Sequence, residues 1–165
     1  MPGLRDALRS PASTLTGLVR APQPGTPGHR LFHHVTVAHV RLYRVSGGRI
    51  GGRFDRAPVL LLHHVGRRTG QARVTPLLHV RDGDDLVVVA SMGGIPRHPA
   101  WFHNLMAMDE TEVEVGRERR RVRPRVASST EKGRLWPTLV AAYPAYATYQ
   151  ARTQRDIPVV LLERV

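Results

Sequence analysis

The chain has 165 residues, a length typical of one domain, and it contains no cysteine. The lack of cysteine excludes disulfides, thiolate zinc sites, iron–sulfur clusters and cysteine nucleophiles. Basic residues number 25 against 13 acidic ones, a net charge of +12, and Lys132 is the only lysine among them. Such an excess predicts a polyanionic partner: nucleic acid, anionic lipid, or a phosphorylated or carboxylated small molecule. A GC-rich codon bias accounts equally well for the arginine preference, but not for the shortage of acidic residues.

A proline-rich basic segment opens the chain, and we expect residues 1–28 to form a mobile arm ahead of a domain at residues 29–165. The next apolar residues recur every three or four positions, which predicts an amphipathic helix over residues 28–45. Its apolar face is expected to carry Leu31, Val35, Ala38, Leu42 and Val45. A glycine-rich loop is predicted to follow at residues 47–54.

The pattern then changes to that of strands. Apolar runs separated by turn sequences predict six strands, at residues 58–65, 72–80, 85–92, 111–115, 119–127 and 157–165. Hairpin-length links join the second strand to the third and the fourth to the fifth, which favours an antiparallel sheet or small barrel. Three helical segments are expected between the strands, at residues 99–109, at residues 129–142 and after Pro144. Ser128 and Glu131 have the spacing of a capping box before the second of these helices.

The sequence lacks the usual signatures of several kinds of catalytic or binding site. The nine histidines include two adjacent pairs, but no carboxylate or third converging ligand lies near them at metal-ligand spacing, so we expect no metal site. The chain has no G-x-S-x-G elbow, no Walker loop and no G-x-G-x-x-G fingerprint. The sequence therefore does not support a serine hydrolase or a common nucleotide-binding fold.

The turn between the first two strands is the clearest candidate for an anion site. Gly66 and Gly70 permit a tight turn with exposed amides. Guanidinium and hydroxyl groups surround these glycines and suit a phosphate; they belong to Arg67, Arg68, Thr69, Arg73 and Thr75. An ordinary basic hairpin tip has the same composition, so the motif alone leaves both interpretations open.

Two further clusters allow more than one interpretation. Tyr143, Tyr146 and Tyr149 recur every three residues and are expected on one side of the chain, either as core packing or as the lining of a pocket for an aromatic acceptor. The run at residues 117–125 contains six arginines and one glutamate. It is predicted to be either a solvated strand pair or a surface that meets phosphates or anionic lipid.

Taken together, five segments resemble the deazaflavin-dependent nitroreductase family, small oxidoreductases that use coenzyme F420 in a split β-barrel. The matching segments are LYRVSGGRIGGRF (42–54), VGRRTGQARVTPL (65–77), VRDGDDLVVVASMGG (80–94), HPAWFHNL (98–105) and WPTLVAAYPAYATYQARTQRDIPVV (136–160). The resemblance covers about residues 30–165. It implies an α+β fold: a six-stranded antiparallel split β-barrel with flanking helices and an N-terminal helix. Arg68 and Met92 depart from the lysines that the family commonly has at these positions.

The resemblance also implies a role for each matching position. The phosphate and glutamate tail of coenzyme F420 would be held by Arg67, Arg68, Thr69 and Arg73, and the same wall would continue through Val74, Thr75, Pro76, Leu77 and Leu78. The deazaflavin ring would lie beside Val89, Ala90, Ser91, Met92, Gly93 and Gly94. The pocket would be completed by Ala100, Trp101, Phe102, His103 and Asn104. The residues expected to act on the substrate are Ser91, Tyr143, Tyr146 and Tyr149.

The implied reaction is the transfer of a hydride from reduced coenzyme F420 to a quinone, a nitroaromatic or another activated double bond. Ser91 or a tyrosine hydroxyl is expected to hydrogen-bond the acceptor oxygen, and a tyrosine or water to supply the proton. One alternative is a split barrel that uses FMN or haem instead. Another is a non-enzymatic basic nucleic-acid-binding module. Aromatic residues make up only 5% of the chain, too few for a stacking platform, so we expect no nucleic-acid partner.

The expected location and assembly follow from charge and hydropathy. No apolar run approaches the ~20 residues of a membrane span, and we expect a cytoplasmic enzyme that is a monomer or a homodimer. The basic arm and the first helix are candidates for peripheral contact with anionic lipid at the inner face of the cell membrane.

Overall fold

The computed structural model describes residues 27–165, with side chains from residue 34 onward. The expected arm therefore lies outside the described residues, except for its last two positions, which begin the first helix. In the described part, the elements in chain order are α1 (Pro27–Ser46), β1 (Arg53–Phe54), β2 (Ala57–Val65), β3 (Ala72–Asp82), β4 (Asp85–Val89), a 3-10 turn (Met92–Gly94), α2 (Ala100–Leu105), β5 (Thr111–Val115), β6 (Glu118–Val126), α3 (Ser129–Ala142), α4 (Ala145–Ala151) and β7 (Val159–Arg164).

The strands form one antiparallel sheet in the order β1-β2-β3-β4-β7-β6-β5. Strand β2 also pairs with β5 at Leu61 and Leu62, and this seam closes β2–β7 into a six-stranded barrel. The α+β fold and the barrel expected from the sequence are thus confirmed. The extra strand β1 lies in the segment predicted as loop, because a tight turn with Asp55 at φ 54° brings Phe54 opposite Ala57.

Successive side chains along each strand point alternately into the barrel and outward, which separates an interior core from two outer clusters. Leu60 and Leu62 of β2 point into the barrel and pack with side chains of β4, β5, β6 and β7. Helices α3 and α4 cover the outer face of β3, β4 and β7, where Leu135 and Tyr146 are buried. The predicted capping box begins α3, since the Ser128 side chain accepts from the Glu131 amide and the Glu131 carboxylate accepts from the Ser128 amide.

Helix α1 packs on the barrel by a different face from the one expected. Val40 and Tyr43 are buried against Val59 and Leu61 of β2, whereas Leu42 and Val45 of the predicted apolar face are 52% and 85% exposed. Val35 is also exposed, and the side chain of Leu31 lies outside the described part.

The reason for the difference is the seam between β2 and β5. The Tyr43 hydroxyl donates to the carbonyl of Val59 (3.0 Å) and accepts from the amide of Gly116 (2.7 Å). The Arg44 guanidinium meets Glu114 at 2.6 Å. These bonds satisfy backbone groups at the seam, which an aliphatic stripe cannot do, so polar requirements set the orientation of the helix.

Strand β7 (Val159–Arg164) is shorter than its predicted bounds, and so are two elements nearer the β2–β3 turn. Strand β4 ends at Val89 because the backbone turns sharply afterwards, with positive φ at Met92, Gly93 and Gly94. Helix α2 ends at Leu105, where the amide of Met108 bonds the carbonyl of Leu105 in a turn. Both changes place irregular backbone beside the end of the barrel that also holds the β2–β3 turn.

Candidate functional site

The β2–β3 turn is a tight backbone loop. The Gly66 amide donates to the Gln71 carbonyl at 2.8 Å, and the Gly70 amide donates to the Gly66 carbonyl at 2.7 Å. Gly70 has a φ of +66°, a conformation that favours glycine. A Cβ on Gly66 would lie 2.5 Å from Thr69 Oγ1. Gly66 is therefore favoured by its close approach to the Thr69 side chain, and Gly70 by its backbone conformation alone.

The arginines of this turn carry charge that nothing neutralises. Arg67, Arg68 and Arg73 are exposed, and within residues 27–165 none of them forms an ion pair. Arg73 makes only a 3.4 Å hydrogen bond to the Gln71 side chain. Three guanidinium groups within seven residues thus remain available to an anion, together with the Thr69 hydroxyl.

The arginine run at residues 117–125 has the opposite character. Arg119 to Arg125 pair with carboxylates of neighbouring strands and of α3, at Glu110, Glu112, Glu114, Glu118, Glu131 and Glu163. Arg125, for example, meets Glu131 at 2.7 Å and Glu163 at 2.6 Å. This surface is a network of ion pairs, so the phosphate-facing interpretation of the run loses its support.

A buried chain of hydrogen bonds ties the turn to α2. The Arg67 amide donates to Asn104 Oδ1 at 3.1 Å, so Asn104 Nδ2 donates to His64 Nδ1, also at 3.1 Å. The opposite nitrogen, His64 Nε2, then carries the ring hydrogen and donates to Thr75 Oγ1 at 2.9 Å. Burial and the nearby Arg73 lower the pKa of His64 to about 4, so the ring is neutral at pH 7.

This chain of bonds has a chemical consequence for Thr75. Because the Thr75 oxygen accepts from His64, its own hydroxyl hydrogen is free to be donated elsewhere. His64 had looked like a structural histidine in the sequence, and no spacing rule links it to Asn104, forty positions later. Only the fold brings the two together.

The expected wall at residues 74–78 is divided between two faces by strand alternation. Val74 and Leu78 lie on the outer face with the α1 contact, whereas Leu77 packs into the barrel interior. In α2, Trp101 and Phe102 belong to the interior core, and His103 and Ala100 are exposed. The structure therefore gathers only some of the sequence-predicted positions on one surface.

The turn after β4 is held by Arg155. Its Nε donates to the Ile95 carbonyl and its Nη2 to the Ser91 carbonyl, both at 2.8 Å. Further bonds reach the Ala90 carbonyl at 3.2 Å and His98 Nδ1 at 3.1 Å. The side chain of Arg155 thus fixes the backbone of the turn that carries Ser91.

The three tyrosines form a cluster beside this turn. Their ring centroids lie 5.1–6.5 Å apart, and the hydroxyls of Tyr143 and Tyr149 are 3.3 Å apart. Tyr146 is buried, while the other two are half-buried. A Cβ on Gly94 would lie 2.5 Å from the Tyr149 carbonyl oxygen, so the turn and α4 are in close contact. Burial raises the pKa of Tyr143 well above its usual value, which keeps the phenol protonated.

Two other features are absent from the described residues. No group of three or more histidine, cysteine or acidic side chains there is placed to hold a metal ion. None of the helices in residues 27–165 is long and apolar enough to cross a membrane.

Comparison with known proteins gives consistent matches. Residues 35–164 match the family model described as F420H(2)-dependent quinone reductase. A protein of Mycobacterium tuberculosis H37Rv named F420H(2)-dependent quinone reductase is 46% identical, over 81% of this chain and 95% of its own length. A solved structure titled F420-H2 dependent reductase is 36% identical, with a TM-score of 0.60 over 64% of this chain and 94% of that one. Another, described as a domain-swapped dimer, is 30% identical, with a TM-score of 0.62 over 81% and 99%.

Proposed function

Because the chain belongs to the F420H(2)-dependent quinone reductase family, we propose that the β2–β3 turn, the turn after β4 and the tyrosine cluster together form its active site. The enzyme transfers a hydride from reduced coenzyme F420 to a quinone. The observation that carries the residue assignment is the set of three unpaired arginines on a turn built by Gly66 and Gly70.

The residues present fit the anionic end of the coenzyme. Arg67, Arg68 and Arg73 supply charge for a phosphate and carboxylates, and their planar groups suit bidentate contacts with both. Thr69 and the Thr75 hydroxyl add donors without charge. Three free guanidinium groups on one turn suit the several negative charges of the phosphate and glutamates of coenzyme F420.

The remaining surfaces position the acceptor. Coenzyme F420, when bound, supplies the hydride from its reduced deazaflavin ring. Val74 and Leu78 form an apolar wall for a planar ring, and Arg155 holds the Ser91 turn in one conformation beside the pocket. Such fixed surroundings favour reaction by holding the partners in contact and by excluding water.

The tyrosine pair holds the proton that the reduced quinone needs. One of the two hydroxyls of Tyr143 and Tyr149 donates to the other, which leaves a single hydrogen free for an acceptor oxygen. Because the pKa of Tyr143 is raised, the phenol is a hydrogen-bond donor throughout the neutral pH range. The Ser91 hydroxyl makes no hydrogen bond within residues 27–165 and is a second candidate donor.

The experiment that tests the assignment compares two ligands. Full coenzyme F420 and its deazaflavin–ribityl fragment, which lacks the phosphate and glutamates, are titrated against wild type, Arg68→Gln and Arg123→Gln. We expect Arg68→Gln to weaken binding of the full coenzyme about tenfold or more and to leave the fragment unaffected. Arg123→Gln, on the ion-paired β6 surface, is the control. Equal losses for both ligands would contradict the assignment.

Turnover gives the second readout. Oxidation of the reduced coenzyme by menadione is followed by the recovery of its visible absorbance, and a nitroaromatic is tested in parallel. We propose that nitroaromatics are accepted, because any planar electrophile that fits against Val74 and Leu78 meets the same donors. Failure of menadione to support oxidation would rule out the quinone assignment.

We also propose that the enzyme is a homodimer located in the cytoplasm, at the inner face of the cell membrane. The domain-swapped description of a structural relative supports the dimer. On α1, Val35, Leu42 and Val45 expose an apolar stripe that a second copy would cover. Leu42→Gln should shift the light-scattering mass from that of a dimer to that of a monomer. If the mass is unchanged but co-sedimentation with anionic vesicles is lost, the stripe contacts membrane instead.

A further inference from the structure

The hairpin between β1 and β2 carries an aromatic side chain that the reaction assigned above does not use. Phe54 pairs with Ala57 across a tight turn, and Asp55 in this turn has a φ of 54°. The Arg53 guanidinium donates to the Arg56 carbonyl at 3.1 Å and holds the turn closed. The Phe54 ring is 59% exposed, and it is the only aromatic ring among the exposed large apolar side chains in the described part of the chain. The hairpin therefore offers apolar surface that a planar ligand would bury on contact.

Phe54 lies directly against the tyrosine cluster. Its ring centroid is 6.1 Å from that of Tyr143, with the two planes at 66°, an edge-on contact typical of aromatic pairs. Ala57, which pairs with Phe54 across the hairpin, lines a narrow crevice together with Tyr143 and Leu78. The Leu78 side chain is part of the apolar wall assigned above to a planar ring. The hairpin, this wall and the phenols therefore meet at one place.

The charge of the hairpin shows which end of Tyr143 it approaches. Burial and the Tyr149 hydroxyl raise the pKa of the Tyr143 phenol, and the Asp55 carboxylate raises it further. The effect of a charge on a titrating group falls with distance, so Asp55 lies near the phenol oxygen. Phe54 is the residue before Asp55 and is therefore beside the hydroxyl pair to which the acceptor oxygen is assigned.

We propose that Phe54 is a specificity-determining residue, whose exposed ring forms a second wall of the acceptor site and selects quinones with fused rings over quinones with one ring. This inference rests on the function proposed above. The ring that carries the accepting oxygen lies at the hydroxyls of Tyr143 and Tyr149, and a ring fused to it extends the acceptor toward the hairpin. Contact there buries apolar surface of both rings, which strengthens binding. The hydroxyl pair recognises the acceptor oxygen, whereas Phe54 recognises the size of the acceptor.

Two quinones of different size provide the test. A dimethylbenzoquinone, with one ring, and menadione, with two fused rings, are reduced by the full chain with reduced coenzyme F420. Each variant is compared with wild type on the same quinone, which removes the difference in reactivity between the quinones. We expect Phe54→Leu to raise KM for menadione about tenfold and KM for the benzoquinone no more than about twofold, with kcat little changed. Phe54→Trp should restore the wild-type KM for menadione, since it restores an aromatic face.

A control variant and a binding measurement complete the test. Ile50 is 57% exposed on the same segment between α1 and the hairpin, and Ile50→Ala should change neither KM. The Phe54 ring protons are followed by NMR while menadione is titrated into enzyme that holds oxidised coenzyme F420. We expect a saturable shift of these protons, which does not depend on turnover.

The outcomes separate this inference from the proposed function. If neither quinone oxidises the reduced coenzyme with wild type, the proposed function fails and the inference falls with it. If wild type reduces both quinones but Phe54→Leu changes the two KM values by the same factor, or changes neither, only the assignment of Phe54 is overturned. Phe54 ring protons that do not shift with menadione would overturn it as well.

Discussion

Replacement of Arg155 tests how the turn beside the reacting groups is held. Its guanidinium donates to three backbone carbonyls, those of Ala90, Ser91 and Ile95, and to a His98 ring nitrogen. Arg155→Met keeps the unbranched apolar stem of the side chain and removes every donor. A hydrogen bond that involves a charged group contributes about 1.5–3 kcal/mol. Because Arg155 is half-buried and water can replace some of these bonds, we expect a net loss of about 2–4 kcal/mol in the free energy of unfolding.

Urea unfolding of wild type, Arg155→Met and Arg155→Lys measures this loss, with Arg97→Met as the control on the same turn. Arg97 is exposed, and its replacement should change the free energy by no more than about 0.5 kcal/mol. The lysine variant should recover less than half of the loss, because one ammonium cannot reach acceptors on both sides of the turn. If Arg155→Met and Arg97→Met unfold with the same free energy, the hydrogen bonds of Arg155 do not stabilise the fold and the prediction is wrong. The methionine variant should also raise KM for quinone, because Ser91 then lacks a fixed position.

Three other changes test separate contacts. Gly94→Ala should lower the free energy of unfolding by about 2–4 kcal/mol, because its Cβ would meet the Tyr149 carbonyl at 2.5 Å and its φ is +78°. The control is Gly93→Ala, at a φ of +69° but with open space around its Cβ, which should lower the free energy by only about 1 kcal/mol. Equal losses in the two variants would contradict the contact with Tyr149. Glu114 has a pKa of about 2 because of hydrogen bonds from Arg44 and His63. Its carboxylate therefore stabilises the fold by roughly 3 kcal/mol above pH ~4.5, and this stabilisation is lost as the pH falls toward 2. Urea unfolding at pH 6, 4 and 3 should show a steeper loss for wild type than for Glu114→Gln, and parallel curves would disprove the linkage. Tyr143→Phe and Tyr149→Phe should each lower kcat/KM about tenfold, and the double variant should lose little more because the hydroxyls act as a pair; additive losses would show that they act independently.

Local patterns in the sequence predicted the parts of the fold that local physics decides. The strand segments, the Ser128 capping box and the β2–β3 turn depend on neighbours within a few residues, and each is found in the structure. The face of α1 depends on a partner seventy residues away. Tyr43 packs inward and the exposed Arg44 pairs with Glu114, because the β2–β5 seam needs hydrogen-bond donors and a counter-ion. The hydrophobic period of the helix does not reveal this requirement.

The candidate site shows the same division. Its charged turn could be identified from seven consecutive residues, but the groups that hold the turns could not. Arg155 binds backbone carbonyls within residues 90–95. Since every residue has a backbone carbonyl, no sequence pattern could predict these contacts. His64 is oriented by Asn104 and in turn orients Thr75, so its role exists only once three separate elements meet.

The position of the acidic residues, rather than the number of arginines, determines where this basic protein binds anions. On β6, the arginines at positions 119, 120, 121, 123 and 125 pair with carboxylates, so much of the positive charge predicted to face a polyanion is neutralised within the fold. The three arginines of the β2–β3 turn pair with no carboxylate within the described residues. A long polyanion needs a continuous basic surface, whereas three unpaired arginines on one tight turn suit a small anion. The arrangement of ion pairs thus favours a small anionic coenzyme over nucleic acid, which net charge alone could not do.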